Sequence, residues 1–198
     1  MILEQRYGAA QVVMRVTNAL LLRAASGQAT SPDTFRHEMF RTGWTFICEQ
    51  RAVASLVNLV NAMLWALEDC ETPQELQTAV QNVITTFRYQ LNQRVLDTAT
   101  YSLSLLSNCR HILTHGYSTT VHYALQHALR NGQRLSVTYV TPTDAGESFA
   151  LRERIAAIGL DVDTIPLEQV PSQIHNYDAV IVGADTLDTR GLTNKRGT

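Results

Sequence analysis

The spacing of the apolar residues divides the chain into two parts. Over the first hundred or so residues, apolar side chains recur every three or four positions, which is typical of amphipathic helices. The pattern predicts helices at residues 12–23, 31–47, 51–67 and 74–106, the last stretch forming one long helix or two. Ser31 followed by Pro32 marks one helix start. We interpret the apolar stripes as faces that pack into a core.

Near residue 108 the pattern changes to short apolar runs that alternate with helical stretches. The runs predict strands at residues 111–113, 135–140, 161–165 and 178–183. The intervening stretches predict a helix capped by Ser118, a second ended by Gly159, and an irregular helical segment at 167–175 that contains Pro171. Strands that alternate with helices in this way indicate βαβ units and a parallel sheet.

Polar, glycine-containing turns follow three of the predicted strands. They lie at residues 114–118, 141–146 and 183–185. Ligands of parallel α/β sheets bind beyond the carboxyl ends of the strands, so these turns should converge on one edge. The first turn leads through Gly116 into the helix that Ser118 caps, and the free N–H groups and dipole of a helix start attract anions. The alternative is an ordinary strand-to-helix turn that binds nothing.

Composition narrows the classes of partner and compartment. The 198 residues are 45% hydrophobic and 17% charged with a net charge of −2, so the chain has no basic footprint for nucleic acid or an anionic membrane. Cys48, Cys70 and Cys109 lack paired spacing, which argues against a disulfide framework and suits a reducing compartment. Charged residues interrupt the apolar N-terminus, so we expect neither a signal peptide nor a membrane span, and we predict a cytoplasmic protein.

Several motif classes are missing from the positions where their chemistry would need them. No G-x-G-x-x-G follows the first predicted strand, and no G-x-x-x-x-G-K-[ST] loop occurs in the chain. Four histidines fall on a strand, a turn and a helix without companion cysteine or acidic residues: His111, His115, His122 and His127. We therefore expect no metal site and no cofactor.

Three stretches carry a resemblance to a known family: ILTHGYSTTV at 112–121, VTYVTPTDAGESFALRERIAAIGLDVDTIP at 137–166, and DAVIVGADTLDTRGLTNKRGT at 178–198. Together they resemble the initiation factor 2B alpha/beta/delta subunit family, which includes methylthioribose-1-phosphate isomerase and ribose-1,5-bisphosphate isomerase. The V-G-A-D and N-K-x-G-T motifs are the most specific matches. RYGAAQ resembles the family's R-G-A phosphate segment, and QRAVASLVNLVNAML resembles its R-P-T-x-x-x-L-x-N helix, with Ala52 in place of proline.

The resemblance implies a fold and a set of site residues. It implies an α/β protein with a helical N-terminal domain, residues 1–107, and a Rossmann-like parallel α/β domain, residues 108–198, with the site between them. The isomerases use a cysteine and an aspartate, and the aspartate corresponds to Asp185, a general acid or base. The other implied positions bind substrate or phosphate: Gly8, Ala9, Arg51, His115, Gly116, Ser118, Asn194 and Lys195. The alternatives are that Asp185 only caps a turn and that Lys195 is a surface lysine.

The decisive departure from the isomerases of the family is at one position. They place cysteine in the T-H-C-x-S turn, whereas this chain has Gly116, which carries no side chain for proton transfer. The translation-factor subunits also lack the cysteine and continue with Tyr-Ser, as this chain does. The segment VTPTDAGES, which begins at the end of the predicted strand at 135–140, also lacks the glutamate and the Arg-Pro that follow this strand in the isomerases. The sequence therefore predicts a non-catalytic regulatory or ligand-binding member that keeps a sugar-phosphate or nucleotide pocket. An aldose–ketose sugar-phosphate isomerase with altered chemistry is the first alternative, and a purely structural subunit is the second.

Two further expectations follow from the resemblance. Members of the family form dimers, so we expect a homodimer or an assembly with related subunits. The family continues through further strands and helices after the N-K-x-G-T motif, so the α/β domain is expected to be truncated at its C-terminus. An unfinished parallel sheet would expose an apolar edge.

Overall fold

The computed structural model describes residues 8–27, 29, 31–50, 53–141, 159 and 162–194. These residues form two compact units. The first contains Ala9–Asn92 together with Asp185–Thr193, and the second contains Gln93–Ala184 with Gly8 and Asn194. The domain boundary at residue 107 stays a prediction, and the predicted helix at 149–158 lies outside the described residues.

The first unit is built mainly from helices, as the apolar spacing predicts. Its helices are α1 (Ala9–Ala25), α2 (Pro32–Glu49), α3 (Ala54–Leu67) and the first part of α4 (Pro73–Leu106), which is one continuous helix. Their apolar stripes supply fully buried core side chains: Val13, Leu20, Met39, Leu56, Leu59, Met63, Leu67, Leu76, Val80 and Ile84. The predicted helical N-terminal part is therefore confirmed.

Side-chain hydrogen bonds set the ends and contacts of these helices. Ser31 caps α2, its hydroxyl accepting the N–H of Thr34 at 3.2 Å. The Arg36 guanidinium donates to the carbonyl oxygens at the end of α3, at 2.9 Å to Leu67 and also to Cys70. Orphan carbonyls at the last turn of α3 thereby gain a charged donor from α2.

A short hairpin completes the first unit. Strand β5 (Thr186–Asp188) pairs antiparallel with β6 (Gly191–Thr193). Gly191 has a φ of +136°, which favours glycine, and the Asp188 carboxylate accepts the backbone N–H of Arg190 at 2.8 Å. The sequence pattern did not predict this hairpin, because each strand is only three residues long and has mostly exposed side chains.

The second unit contains a parallel sheet with the order β3-β2-β1-β4. The strands are β1 (His111–His115), β2 (Ser136–Thr141), β3 (Val162–Pro166) and β4 (Ala179–Val182). These are the four predicted strands, so the α/β fold class is confirmed. Between β3 and β4 the chain forms three short helical turns in succession, Leu167–Gln169, Val170–Gln173 and Ile174–Asn176, which agrees with the irregular segment predicted there.

Helix α5 (Thr119–Arg130) covers one face of this sheet. Alternate strand residues Ile112, Val137 and Tyr139 pack with apolar side chains of α5, and the next residues along β1 and β2, Leu113 and Val140, lie in a separate cluster with Ile165. Period-two alternation explains the separation, since neighbouring residues of a strand point to opposite faces. Both faces of the central strands are therefore apolar.

Candidate functional site

The order of the strands places a switch point between β1 and β4. From β1 the chain passes through α5 to β2 and then β3 on one side, and it returns to β4 on the other side of β1. In open α/β sheets the crevice at such a point, beyond the carboxyl ends of the strands, is where ligands bind. The two segments that leave the sheet there are the turn after β1 and the residues after Val182.

The turn after β1 has the backbone of an anion-binding turn. Gly116 takes a φ of +67°, the left-handed conformation that glycine adopts without strain. Ser118 then caps α5, its hydroxyl accepting the N–H of Val121 at 3.4 Å, and its carbonyl oxygen accepts the N–H of His122 at 3.0 Å. The predicted cap and turn are confirmed as local structure.

The backbone N–H groups of Thr119 and Thr120 are donors at the start of α5. Among the described residues, none accepts the backbone N–H of Thr119 or of Thr120. The first turn of α5 contains no acidic side chain. Two free amides at the positive end of a helix dipole, without a neighbouring carboxylate in that turn, favour a bound anion such as phosphate.

Two threonine hydroxyl groups, one in β1 and one in α5, are buried without a hydrogen-bond partner in the part of the chain that the structure describes. The Thr119 side-chain oxygen and the Thr114 side-chain oxygen have no partner among the described residues, and Thr114 is only 1% exposed. Thr114 shares its sheet face with Ile112, the face that α5 covers. A buried hydroxyl without a partner is costly, so these groups point to a ligand or water at this end of the strand.

Three aromatic side chains, Tyr117, His122 and Tyr139, pack together next to the turn. The Oη of Tyr139 lies 2.9 Å from Nε2 of His122, and the Tyr117 ring meets the His122 ring edge-on with 4.6 Å between centroids. Burial, with a smaller contribution from Tyr117, raises the pKa of Tyr139. The phenol therefore stays protonated, and its hydrogen bond with Nε2 of His122 joins β2 to the first turn of α5.

Gly8 and Gly183, which belong to separate segments of the chain, both lie close to the turn after β1. A Cβ atom placed on Gly8 would lie 3.3 Å from the carbonyl oxygen of Tyr117 and 3.6 Å from the amide nitrogen of Thr119. A Cβ atom placed on Gly183 would lie 2.7 Å from both Cβ and Oγ of Ser118. The structure thus brings Gly8, Gly116 and Ser118, which the sequence singled out as binding residues, together with Gly183, which the sequence placed only in the third predicted turn.

Asp185, the predicted general acid or base, lies in the first unit. Its backbone N–H donates to the carbonyl oxygen of Thr193 at 2.9 Å, and its carbonyl oxygen accepts the N–H of Ala54 at 3.3 Å. Asp185 is thereby tied both to β6 and to the start of α3. The half-buried residue has two fixed backbone contacts, which restrict where its carboxylate can reach.

The remaining predicted positions are distributed along the chain. Ala9 is the first residue of α1 and directly follows Gly8, and Asn194 is half-buried just after β6. His115 ends β1 beside the turn. Arg51 and Lys195 lie outside the described residues. The binding roles of all these residues stay predictions.

The structure places four residues at or near the turn that the sequence analysis did not name as site residues: Thr119, Thr120, His122 and Tyr139. The run Ser-Thr-Thr at a predicted helix start was a signal for the two threonines, because small polar residues are common where helix N-termini bind anions. The His122–Tyr139 pair had no local signal, since 17 positions separate the two residues. In the described part of the chain, no group of three or more His, Cys, Asp or Glu residues is arranged to hold a metal ion.

These features define a class of protein: a parallel α/β sheet with a glycine-containing turn and a helix start at its switch point, in a chain whose N-terminal part is helical. The family model "Initiation factor 2 subunit family" matches residues 5–198. The chain therefore belongs to the initiation factor 2 subunit family. None of the described helices combines the length and apolarity that crossing a membrane requires.

Curated relatives carry an enzyme name. Ribose 1,5-bisphosphate isomerase of Haloferax volcanii is 26% identical over 194 residues, a match that takes in 96% of this chain and 59% of the relative. Ribose 1,5-bisphosphate isomerase of Haloterrigena turkmenica is 28% identical over 194 residues, with 96% and 58% covered. The chain thus spans about three fifths of the length of the curated relatives it matches.

Solved structures of translation factors share the fold. The Pyrococcus horikoshii OT3 translation initiation factor eIF-2B superposes with a TM-score of 0.83 at 20% identity, covering 98% of this chain and 67% of that one. The tetrameric eIF2B-beta2-delta2 complex from C. thermophilum gives a TM-score of 0.67 at 18% identity, covering 92% and 63%. At these identities the likeness establishes the fold alone.

Proposed function

We propose that this chain binds a phosphorylated pentose at the turn after β1 and takes part in its aldose–ketose isomerisation, with ribose 1,5-bisphosphate as the substrate. One observation carries the proposal: the free amides of Thr119 and Thr120 lie at the switch point of the sheet, beside the unpartnered hydroxyl of Thr119. This arrangement suits a phosphate group. The names of the curated relatives support the choice of sugar and favour an isomerase over the non-catalytic protein that the sequence alone suggested.

Asp185 supplies the acid–base chemistry in this proposal. In ribose 1,5-bisphosphate the C1 oxygen carries phosphate, so formation of the ketose opens the sugar ring: the hydrogen on C2 moves to C1, the C2 hydroxyl loses a proton, and the ring oxygen gains one. A carboxylate can relay that proton from the C2 hydroxyl to the ring oxygen. The main chain of Asp185 is fixed at both its N–H and its C=O, so only the side-chain torsions have to place the carboxylate for this proton transfer.

A second candidate function is binding of the sugar phosphate, or of a nucleotide, without turnover. Gly116 favours it, because the turn offers no side chain at the position where the isomerases of the family place a thiol. In that case the bound ligand would report on metabolite levels to an associated protein. The two candidates share the anion site and differ only in chemistry.

Incubation of the intact protein with ribose 1,5-bisphosphate, followed by ³¹P NMR, separates the candidates. We expect the aldose resonances to be replaced by those of a ketose bisphosphate. In Asp185→Asn, turnover should fall by about 100-fold or more, since general acid–base catalysis contributes roughly 10² to 10⁴ in rate. Calorimetric binding of the same sugar by this variant should stay within a few-fold of the unmodified protein. Binding without turnover would select the second candidate, and no binding would reject both.

We also propose that the intact protein associates with a second copy of itself. A related complex of known structure is a tetramer of beta and delta subunits, which supports assembly among chains of this fold. Light scattering after gel filtration should give about twice the mass of one full chain. A monomeric mass at micromolar concentration would contradict the proposal.

A further inference from the structure

Gly183 and Ser118 bring the two segments at the switch point into direct steric contact. A Cβ atom on Gly183 would lie 2.7 Å from both Cβ and Oγ of Ser118, well inside the roughly 3.5–4.0 Å of an optimal contact between carbon atoms. The backbone of Gly183 is outside the left-handed region, so a larger residue is excluded by space and not by conformation. Glycine at 183 therefore lets the residue after β4 touch the cap of α5.

Ser118 is the residue whose position determines where the free amides lie. Its hydroxyl accepts the N–H of Val121 and its carbonyl oxygen accepts the N–H of His122, so the first turn of α5 is built upon it. The N–H groups of Thr119 and Thr120 follow it directly. Any displacement of Ser118 moves these donors together.

We propose that Gly183 and Ser118 form a steric interlock that sets the position of the anion-binding amides, which makes Gly183 a positioning residue. The inference rests on the proposed function. Gly183 directly follows β4 on one side of the switch point, and Ser118 caps α5 after β1 on the other side. β1 and β4 pair directly, with His115 opposite Val182. The pairing of the two strands therefore sets where Gly183 meets Ser118 at the start of α5.

The test is a double-mutant cycle on the intact protein. In Gly183→Ala, Ser118 has to move by roughly 1 Å to reach ordinary contact, and misplacement of that size can cost about two orders of magnitude at a reacting centre. We expect the Kd for ribose 1,5-bisphosphate to rise about tenfold or more. Ser118→Gly removes the obstructing atoms and keeps a tolerated cap residue, so it should weaken binding by only about threefold.

The double variant supplies the decisive value. Because Ser118→Gly vacates the space that the new methyl group of Gly183→Ala needs, we expect the Kd of the double variant to match that of Ser118→Gly alone. Losses that multiply would overturn the interlock. A Gly183→Ala variant that binds like the unmodified protein would also overturn it.

Gly43 offers a matched control for a general loss of stability. A Cβ atom on Gly43 would lie 2.8 Å from Cγ1 of Val60, a clash like the one at Gly183 but between α2 and α3. Gly43→Ala should lower the melting temperature as Gly183→Ala does and leave the Kd for the sugar unchanged. An equal rise in Kd in both variants would mean that Gly183 acts only through stability.

The melting temperature without ligand should be measured for four proteins: the unmodified protein, Gly183→Ala, Ser118→Gly and the double variant. These values keep the proposed function and the interlock separable. If the unmodified protein does not bind the sugar, the proposed function fails, and the melting temperatures decide the interlock. Recovery of the Gly183→Ala loss in the double variant would support the interlock, and additive losses would reject it.

Discussion

At the scale of single residues, Gly116 affects both the backbone conformation of the turn after β1 and the chemistry available there. Its φ of +67° is one that a side chain with a Cβ adopts only at a cost. The residue that would carry a thiol in a family isomerase is also the residue whose backbone here suits glycine best. The chain thus has a turn shaped for its backbone N–H groups and not for a side chain.

We predict that Gly116→Cys lowers the free energy of unfolding by about 1–2 kcal/mol, because cysteine is strained in the left-handed region. Urea unfolding measures the change. Gly132→Ala is the control. Gly132 has a φ of +82° and open space around it, so this substitution measures the cost of the left-handed backbone without a steric clash. A Gly116→Cys variant as stable as the unmodified protein would contradict the left-handed turn.

Tyr139→Phe tests the buried pair under α5. Removal of the phenolic hydroxyl breaks the hydrogen bond between Tyr139 and Nε2 of the buried His122, which should cost about 1–3 kcal/mol of unfolding free energy. Tyr123→Phe on the exposed side of the same helix should stay within about 0.5 kcal/mol. Equal effects of the two substitutions in urea unfolding would show that the Tyr139 hydroxyl is not stabilising.

At the scale of elements, the start of the sheet is held by one carboxylate. The Asp178 side chain, just before β4, accepts the N–H groups of Arg110 at 2.7 Å and His111 at 2.9 Å, at the start of β1. The N–H of His111 and then that of Arg110 lower the pKa of Asp178. The charged carboxylate therefore joins two parallel strands at the end of the sheet opposite the site.

This linkage predicts a pH dependence of stability. Because the folded pKa is lowered below the ordinary value near 3.9, the contribution is fully present above that pH and is lost as the pH falls through the folded pKa. The melting temperature of Asp178→Asn should lie below that of the unmodified protein at pH 6, and the gap should narrow by about pH 3. Asp163→Asn, an exposed change on β3, is the control for loss of one carboxylate. A gap that is constant with pH would refute the linkage.

At the scale of the whole molecule, binding and stability are coupled. A ligand that binds only the folded state stabilises it by RT ln(1 + [L]/Kd), which is about 2.7 kcal/mol at 100 times Kd. We expect ribose 1,5-bisphosphate to raise the melting temperature of the intact protein accordingly. Ribose without phosphate should give no shift at the same concentration, because it lacks the anion that the α5 amides bind. Equal shifts with both sugars would argue against the anion site.

The periodicity of apolar residues was sufficient for most of the fold. The helices of the first unit and the four strands of the parallel sheet are long and regular enough to appear in the sequence as stripes and runs. The β5–β6 hairpin was missed, because strands of three mostly exposed residues leave no pattern. Whether α4 was one helix or two also required coordinates, since the spacing fitted both.

The sequence by itself determined the fold class, the Ser118 cap and the turn at Gly116, because each depends on residues close together in the chain. Only the tertiary structure decided the strand order that makes a switch point, the contact of Gly183 with Ser118, and the burial of Thr114 beneath α5. The first two features join segments tens of residues apart, and local propensities carry no information about which distant segments become neighbours. The burial of Thr114 depends on how α5 packs on the sheet.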